Sequence, residues 1–229
     1  NWKGEILKKI SYSTDINGSR IQMTTPYSFG AQGPYLVNNF LWLGQFYRAD
    51  NSKGVFTPEL QENSHLAVKV DLKTGECEKM PLVYPDEIIG HNIIGMYVRR
   101  VIGYNNNMVY TFSNVPGLYL SGDNTIFKKR MLETNYKLNL ADRDNKNIPD
   151  AQSGMNFSIN YDEIVDMLYD KYRECYYIFI RTKSKYSANE LNVKFLYPDC
   201  LIVVLDKNLK HMGEMKLDDN IYSVKMKFI

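Results

Sequence analysis

The sequence predicts an all-β fold, a β-propeller of which about three to four blades are visible. Three observations support this: an excess of tyrosine and asparagine, a succession of strand–turn–strand segments, and recurrence of those segments. The chain of 229 residues contains 18 Tyr and 22 Asn. Aromatic residues favour half-buried pleated surfaces, and asparagine favours turns, where it tolerates positive φ. We expect many strands joined by many turns, in one domain over residues 1–229 that is incomplete at both ends.

Strand segments follow one another along most of the chain. The His65–Leu82 segment predicts a hairpin, with an alternating strand to Val70, a turn through Asp71–Gly75 and a return strand. The triplet "NNN" and the quartet "SGDN" predict turns within two further strand–turn–strand segments. Those two segments are Arg99–Ser113 and Gly117–Leu132, and the other predicted strand segments are Asn38–Tyr47, Glu174–Arg181 and Leu201–Leu217.

Helix signals are scarce in this sequence. The segment Asp162–Tyr172 has apolar residues at a helical spacing, yet it is short and its Val165 and Tyr169 also suit a strand, so we expect a strand. The segment Thr57–Asn63 predicts a single helical turn, with Pro58 at its first helical position.

Segments of the chain repeat at a regular distance. The segment "VKVDLKTGECEKM" aligns with "VVLDKNLKHMGEM", so that Asp71 and Asp206 occupy equivalent positions 135 residues apart. Leu43, Tyr110 and Ile178 lie at the centres of aromatic strands 67 and 68 residues apart. A repeated unit of four short antiparallel strands is typical of a propeller blade, in which each Asp caps the turn that follows it. A β-sandwich is the alternative, because it also has closely spaced strands, but it explains the recurrence less well.

Composition argues against several classes of partner and cofactor. The chain has 28 basic and 26 acidic residues without a run of like charge, so we expect no nucleic-acid partner. The three cysteines have no CxxC spacing and the three histidines are dispersed, so we expect neither a metal site nor a cofactor. No apolar run reaches the roughly 18–20 residues that span a bilayer.

Motifs for known reactions are missing as well. The sequence has no GxSxG and no HExxH, and the glycine-rich segment Phe29–Pro34 lacks the spacing of a phosphate loop. The acidic segment Asp142–Asp150 lacks the glycine and the closing glutamate of a calcium loop. Whether the protein is an enzyme is uncertain, and we favour a non-catalytic role.

The segment "YDKYRECYYIFIR" (Tyr169–Arg181) carries the candidate binding residues Tyr169, Asp170, Arg173 and Tyr177. Under a structural interpretation the tyrosines fill the space between blades and Arg173 pairs with Asp170. Under a functional one, tyrosine faces stack on sugar rings and an arginine fork grips a carboxylate or phosphate; contact with a partner protein is a third option. Arg99 is a further candidate, although surface pairing is the default expectation for Arg99 and Arg100.

The same segment, followed by "CLIVVLDKNLKHMGEM", resembles DUF4221-type and related six-bladed-propeller lipoproteins of Bacteroidetes. The family pattern of Tyr–Asp–Pro–Tyr–Arg, a turn and a tyrosine pair is matched by Tyr169, Asp170, Tyr172, Arg173, Tyr176 and Tyr177. Its apolar strand ending in Asp, Lys-rich turn and Gly–Glu is matched by Leu205, Asp206, Lys207, Gly213 and Glu214. Lys171 stands where the family often has proline, and Ile178 where an arginine commonly follows the tyrosine pair.

The resemblance implies an exported bacterial protein of the cell envelope, held at the membrane only by a lipid anchor upstream of residue 1. We therefore expect a binding protein that recognises a glycan, a peptide or a partner protein at an end or the central channel of the propeller. The alternative is a propeller hydrolase or lyase acting on carbohydrate, which clustered carboxylates or a channel metal would favour.

Overall fold

The computed structural model describes residues 15–16, 19–20, 34–44, 58, 62, 65–80, 82–90, 98–121, 128–140, 160–183 and 199–217. The chain divides into two compact units, Asn1–Gly90 and His91–Ile229. The described part of the chain is all-β, and its sheets are antiparallel. None of its helical residues belongs to a helix long and apolar enough to cross a membrane.

The first unit contains a four-stranded sheet, called here the first sheet, which comprises in spatial order β3 (Tyr35–Val37), β4 (Phe40–Gly44), β5 (Ala67–Asp71) and β6 (Cys77–Lys79). Val68 and Val70 of β5 are buried, with relative exposures of 0% and 2%. A short separate pair, β1 (Asp15–Ile16) with β2 (Ser19–Arg20), belongs to the same unit.

The second unit contains two further four-stranded sheets, whose strands also follow one another in sequential order. The second sheet comprises β7 (Val98–Ile102), β8 (Met108–Phe112), β9 (Gly117–Ser121) and β10 (Lys128–Met131). The third sheet comprises β11 (Glu163–Asp170), β12 (Cys175–Arg181), β13 (Cys200–Asp206) and β14 (His211–Leu217). A short 3-10 turn at Tyr104–Asn106 joins β7 to β8. The strand predicted within Asp162–Tyr172 is confirmed, because β11 occupies Glu163–Asp170 of that segment.

The sequence recurrence corresponds to equivalent places in the three sheets. Leu43, Tyr110 and Ile178 each lie on the second strand of their sheet. Asp71 and Asp206 end the third strands of the first and third sheets. Each caps its turn as predicted, because Asp71 Oδ1 accepts the Lys73 amide at 2.6 Å and Asp206 Oδ1 accepts the Asn208 amide at 2.8 Å.

The second and third sheets pack face to face and share one core. Val101, Val109 and Leu118 of the second sheet are buried against β11, β12 and β13. The first strands of the two sheets, β7 and β11, lie beside each other. The alternating burial of β12 and β13 is that of strands with one face on a core. The third-sheet residues of this core are Ile164, Met167, Tyr176, Ile178, Ile180, Leu201, Val203 and Leu205.

The second sheet is also buried on the face turned away from the third sheet. All five residues of β8 are buried. On that far face Tyr110, Phe112 and Tyr119 form an aromatic group, with ring centroids of Tyr110 and Tyr119 5.3 Å apart. The aromatic excess in the sequence is thus partly used to fill the far face of the second sheet.

Asparagines occupy turn positions with left-handed backbone, as predicted. Asn38 has a φ of 54° between β3 and β4, and Asn105 and Asn106 have φ values of 56° and 57° in the 3-10 turn. Asparagine tolerates this region better than most residues. Pro58 and Glu62 are helical, in keeping with the predicted turn, whose other residues lie outside the described part. Three further predicted features also lie outside the described part of the chain: residues 29–33 of the glycine-rich segment, residues 122–127 with most of the "SGDN" turn, and the acidic segment 142–150. His91 lies outside it as well.

Candidate functional site

Asp170 organises the turn between β11 and β12. Its Oδ1 accepts the backbone N–H groups of Tyr172 at 2.8 Å and Arg173 at 3.1 Å, and its Oδ2 accepts Arg173 Nη1 at 2.7 Å. The Asp170 side chain is 1% exposed, whereas that of Arg173 is 73% exposed. The Arg173 hydrogen bond holds the pKa of Asp170 below its usual value, against the effect of burial. The predicted Arg173–Asp170 pairing is confirmed.

Three tyrosines meet where this turn approaches the β7–β8 connection. Tyr169 and Tyr176 lie opposite each other on β11 and β12, with ring centroids 4.7 Å apart. The Tyr176 hydroxyl is buried and accepts the Tyr104 backbone N–H at 2.9 Å. A side chain on Gly103 would collide with the Tyr176 ring and hydroxyl, so the close approach depends on glycine. Tyr104 and Tyr169 remain partly exposed above the buried Tyr176.

A charged pair adjoins these rings. Lys207, in the β13–β14 turn, donates from Nζ to Glu174 Oε2 at 2.6 Å, and the same Nζ lies 4.8 Å from the centroid of the Tyr104 ring. Both side chains remain accessible, at 39% and 46% exposure. The hydrogen bond with Glu174 raises the pKa of Lys207. We call Tyr104, Tyr169, Tyr176, Glu174 and Lys207 the tyrosine cluster.

Tyr177 belongs to a different face. Because it follows Tyr176 on β12, its side chain leaves the opposite side of the sheet, the side that also carries Cys175. Its pKa is raised first by a hydrogen bond with the Cys175 thiol and then by burial, with Asp170 and Arg173 close enough to act on it. Tyr177 therefore lies on the same face of the sheet as Asp170, near Arg173, whereas Tyr169 lies on the other face.

Arg99 lies at the other end of the sheets. Its Nε donates to the Ile164 carbonyl at 3.3 Å, and its Nη2 lies 3.6 Å from Glu163 Oε1. Arg181 Nη2 bonds the other oxygen of Glu163 at 2.7 Å. Arg99 and Arg100 are 5% and 4% exposed, so the expectation of a surface position is wrong. The ion pair between Arg99 and Glu163 lies where β7 runs beside β11. The side chain of Arg100 points to the opposite face of β7.

The five predicted site residues are thus divided among three places. Tyr169 belongs to the tyrosine cluster, Asp170, Arg173 and Tyr177 to the other face of the same turn, and Arg99 to the far end. Tyr104, Glu174 and Lys207 were not predicted as site residues from the sequence. Their proximity depends on strand register and sheet packing, such as the pairing of Cys175 with Asp206 that puts residues 174 and 207 side by side, and no local sequence pattern shows it.

Asp162 and His65, two further residues of acidic or metal-binding type, are engaged in local structure. Asp162 is buried and accepts the backbone N–H groups of Asn139 at 2.6 Å and Lys183 at 2.7 Å. His65 Nδ1 lies 2.7 Å from the Met80 carbonyl oxygen, which makes that nitrogen the donor. Among the described residues, no group of three or more His, Cys, Asp or Glu side chains is placed to bind a metal ion.

The chain matches the family model described as "Domain of unknown function (DUF4221)" over residues 1–216. It belongs to the DUF4221 family. This DUF4221 chain is also similar to a crystal structure of a DUF4221 member from Bacteroides vulgatus ATCC 8482, with a TM-score of 0.75 and 21% identity. The match covers 96% of this chain and 60% of the other, so this DUF4221 chain spans about three fifths of that relative. At 21% identity the likeness is one of fold. No curated protein matches this DUF4221 chain.

Proposed function

We propose that the chain forms part of a β-propeller that binds a glycan, a peptide or a partner protein without catalysis. Three features support the propeller. Each four-stranded sheet runs in sequential order, as a blade does. The first strands β7 and β11 lie side by side, as inner strands around an axis would. The second sheet is buried on both faces, whereas a sheet of a simple two-layer sandwich keeps one face in solvent.

The tyrosine cluster is the observation that supports binding. It combines two partly exposed aromatic rings with an accessible ammonium and carboxylate, at an end of the sheets where three turns meet. Aromatic faces with a few fixed polar groups are typical of ligand sites. The Tyr104 backbone is held by its hydrogen bond to the Tyr176 hydroxyl, and the Tyr169 ring packs against the Tyr176 ring, so little ordering is needed on binding.

The state of the carboxylates at this end of the third sheet favours binding over catalysis. Asp170 and Asp206 accept turn amides, and Glu174 accepts Lys207. A glycosidase needs two carboxylates facing each other across a bond, one of them able to donate a proton. The hydrogen bond from Arg173 lowers the pKa of Asp170. Burial alone would raise the pKa of Asp206, but the hydrogen bonds of its turn outweigh that effect and lower it. Neither carboxyl is therefore suited to donate a proton near neutral pH.

An exported, lipid-anchored location at the cell envelope is part of the same proposal. Its support is the resemblance of the tyrosine–arginine segment to Bacteroidetes lipoproteins, together with the fold shared with a Bacteroides vulgatus protein. Fractionation of cells that express the full-length protein, with metabolic labelling by a radioactive fatty acid, tests it. Label in the envelope fraction supports the proposal, and unlabelled protein in the cytoplasmic fraction contradicts it.

The binding function is tested by screening the purified chain on arrays of neutral glycans, acidic glycans and peptides. Lys207→Ala is the site variant. Lys216→Ala is its matched control, because Lys216 also pairs with a carboxylate, Asp199 at 3.2 Å, and is 46% exposed. We expect a ligand that binds wild type and the control but not Lys207→Ala. Binding that is unchanged in Lys207→Ala contradicts the tyrosine cluster as the site, and no binding to any array contradicts recognition of a glycan or a peptide.

A further inference from the structure

We propose that the tyrosine cluster binds a neutral carbohydrate, with a pyranose ring on the exposed side of Tyr169 and hydroxyl groups on Lys207 and Glu174. This inference rests on the proposed binding function and names its ligand class. It follows from the arrangement of rings, the balance of charge in the cluster and the relative placement of donors and acceptors.

The arrangement of rings suits a sugar. Tyr176 supports Tyr169 from the buried side at 4.7 Å, so the accessible part of the Tyr169 ring faces away from the core. Tyr104 is fixed by its backbone and has Lys207 over its face. A pyranose presents a face of C–H groups that packs against an aromatic ring, while its hydroxyls point outward from the ring edge. A rigid tyrosine beside polar groups meets both requirements.

The charge of the cluster favours a neutral ligand. It has one cation, Lys207, and one anion, Glu174, joined at 2.6 Å. An acidic sugar would bring its carboxylate close to Glu174, and a cationic ligand would bring its charge close to Lys207. Each would therefore meet one like and one opposite charge at an exposed pair, so the pair gives a charged ligand no net attraction to offset the loss of its hydration. A neutral hydroxylated ligand has no charge to desolvate.

The Lys207–Glu174 pair also matches the hydrogen-bonding needs of hydroxyl groups. A hydroxyl both donates and accepts, an ammonium only donates, and a carboxylate only accepts. The pair offers one of each at adjacent positions, and neighbouring hydroxyls of a sugar lie close enough together to use both. Hydrogen bonds that involve a charged partner are stronger than those between neutral groups. The pair therefore supplies orientation as well as attraction.

An anionic ligand on Arg173 is the competing possibility at this end of the sheet. The Arg173 guanidinium is largely exposed, but it is bound to Asp170 and associated with Tyr177 on the other face of β12. An anion there would not use Tyr169 or Lys207. The two possibilities thus predict different ligands and different sensitive residues.

The test is calorimetric titration of the full chain with neutral hexose and pentose oligosaccharides, uronic-acid oligosaccharides and a control peptide. We expect neutral oligosaccharides to bind. Tyr169→Ala and Lys207→Met should each weaken binding about tenfold or more, while Lys216→Ala, outside the cluster, should change it less than about twofold. Glu174→Gln should improve binding of the uronic-acid ligands relative to the neutral ones, because it removes the repelling charge.

The outcomes separate this inference from the general binding function. If only peptides or acidic glycans bind, and Lys207→Met abolishes that binding, the assignment of a neutral carbohydrate is overturned and the general binding function stands. Acidic ligands that are lost in Arg173→Ala and unaffected by Tyr169→Ala assign the site to Arg173 and overturn the inference. No binding by any probe overturns both. Thermal unfolding of each variant shows whether a loss of binding comes from unfolding. Glu174→Gly serves as a second variant without the carboxylate, because residue 174 has a φ of 50°, which glycine accepts.

Discussion

The hydroxyl of Tyr176 accepts a 2.9 Å hydrogen bond from the backbone N–H of Tyr104, a residue 72 positions earlier in the chain. This bond joins the β7–β8 connection of the second sheet to β12 of the third sheet. It satisfies a partly buried amide and fixes the position of Tyr104 beside Lys207. Tyr176 thus connects the packing of the two sheets to the candidate binding surface.

Replacing Tyr176 by phenylalanine tests the energetic importance of this bond. Tyr176→Phe keeps the ring and its packing but leaves the Tyr104 amide without its acceptor, so we expect a loss of about 1–2 kcal/mol in the free energy of unfolding. Urea denaturation followed by circular dichroism measures it. Tyr169→Phe is the matched control and should change stability by less than about 0.5 kcal/mol. Equal effects of the two variants would contradict the assigned role.

The pH dependence of stability gives an independent check on the same residue. Burial raises the pKa of Tyr176 to about 12, above the value near 10 of an exposed tyrosine. Its contribution is complete below pH 10 and is lost as the pH rises towards 12, because the unfolded chain releases this proton first. We expect wild type to lose stability across that range more steeply than Tyr176→Phe. Tyr84, with a pKa also raised to about 12 by burial, contributes in both proteins. Identical slopes would contradict the raised pKa.

Two glycines of the second unit should respond in opposite ways to alanine. Gly103→Ala places a methyl group against the Tyr176 ring and hydroxyl, and we expect a loss of about 1–3 kcal/mol from overpacking. Gly213→Ala, on β14, has no heavy atom within 4 Å of the added carbon, so we expect no loss and a gain of up to about 1 kcal/mol. Chemical denaturation of both variants measures the contrast. A larger loss for Gly213→Ala would refute the close approach at Gly103.

Acid should weaken the turn that Asp170 caps. The pKa of Asp170 is lowered by Arg173, so its contribution is present above the pKa of an unfolded aspartate, near 4, and disappears as the pH falls below that. Asp170→Asn should be less stable than wild type at neutral pH, and the difference should shrink on acidification. Thermal unfolding between pH 2 and 7 follows both proteins. A difference that stays constant with pH would show that the carboxylate charge is irrelevant to the turn.

Local features of this fold were predictable from sequence, and contacts between distant strands were not. The strand positions and the Asp71 and Asp206 turns follow from alternation and from side chains that bond their own neighbours, which involve only a few adjacent residues. The same holds for the Arg173–Asp170 pair, three residues apart. The contact between Tyr104 and Tyr176 depends on how two sheets pack, and no local pattern encodes that. The burial of Arg99 was missed for the same reason, because its partner Glu163 belongs to another sheet.

The tyrosine cluster as a binding surface is tested most directly by nuclear magnetic resonance with ring-labelled tyrosine. Neutral oligosaccharides are added to the labelled chain, and the ring signals are assigned with Tyr169→Phe and Tyr104→Phe. We predict saturable shifts for Tyr169 and Tyr104, with smaller changes at Tyr177, and saturation at an about tenfold or more higher ligand concentration in Lys207→Met. Signals of Tyr169 and Tyr104 that stay unchanged while other tyrosines shift, or while binding is detected by calorimetry, would contradict the account.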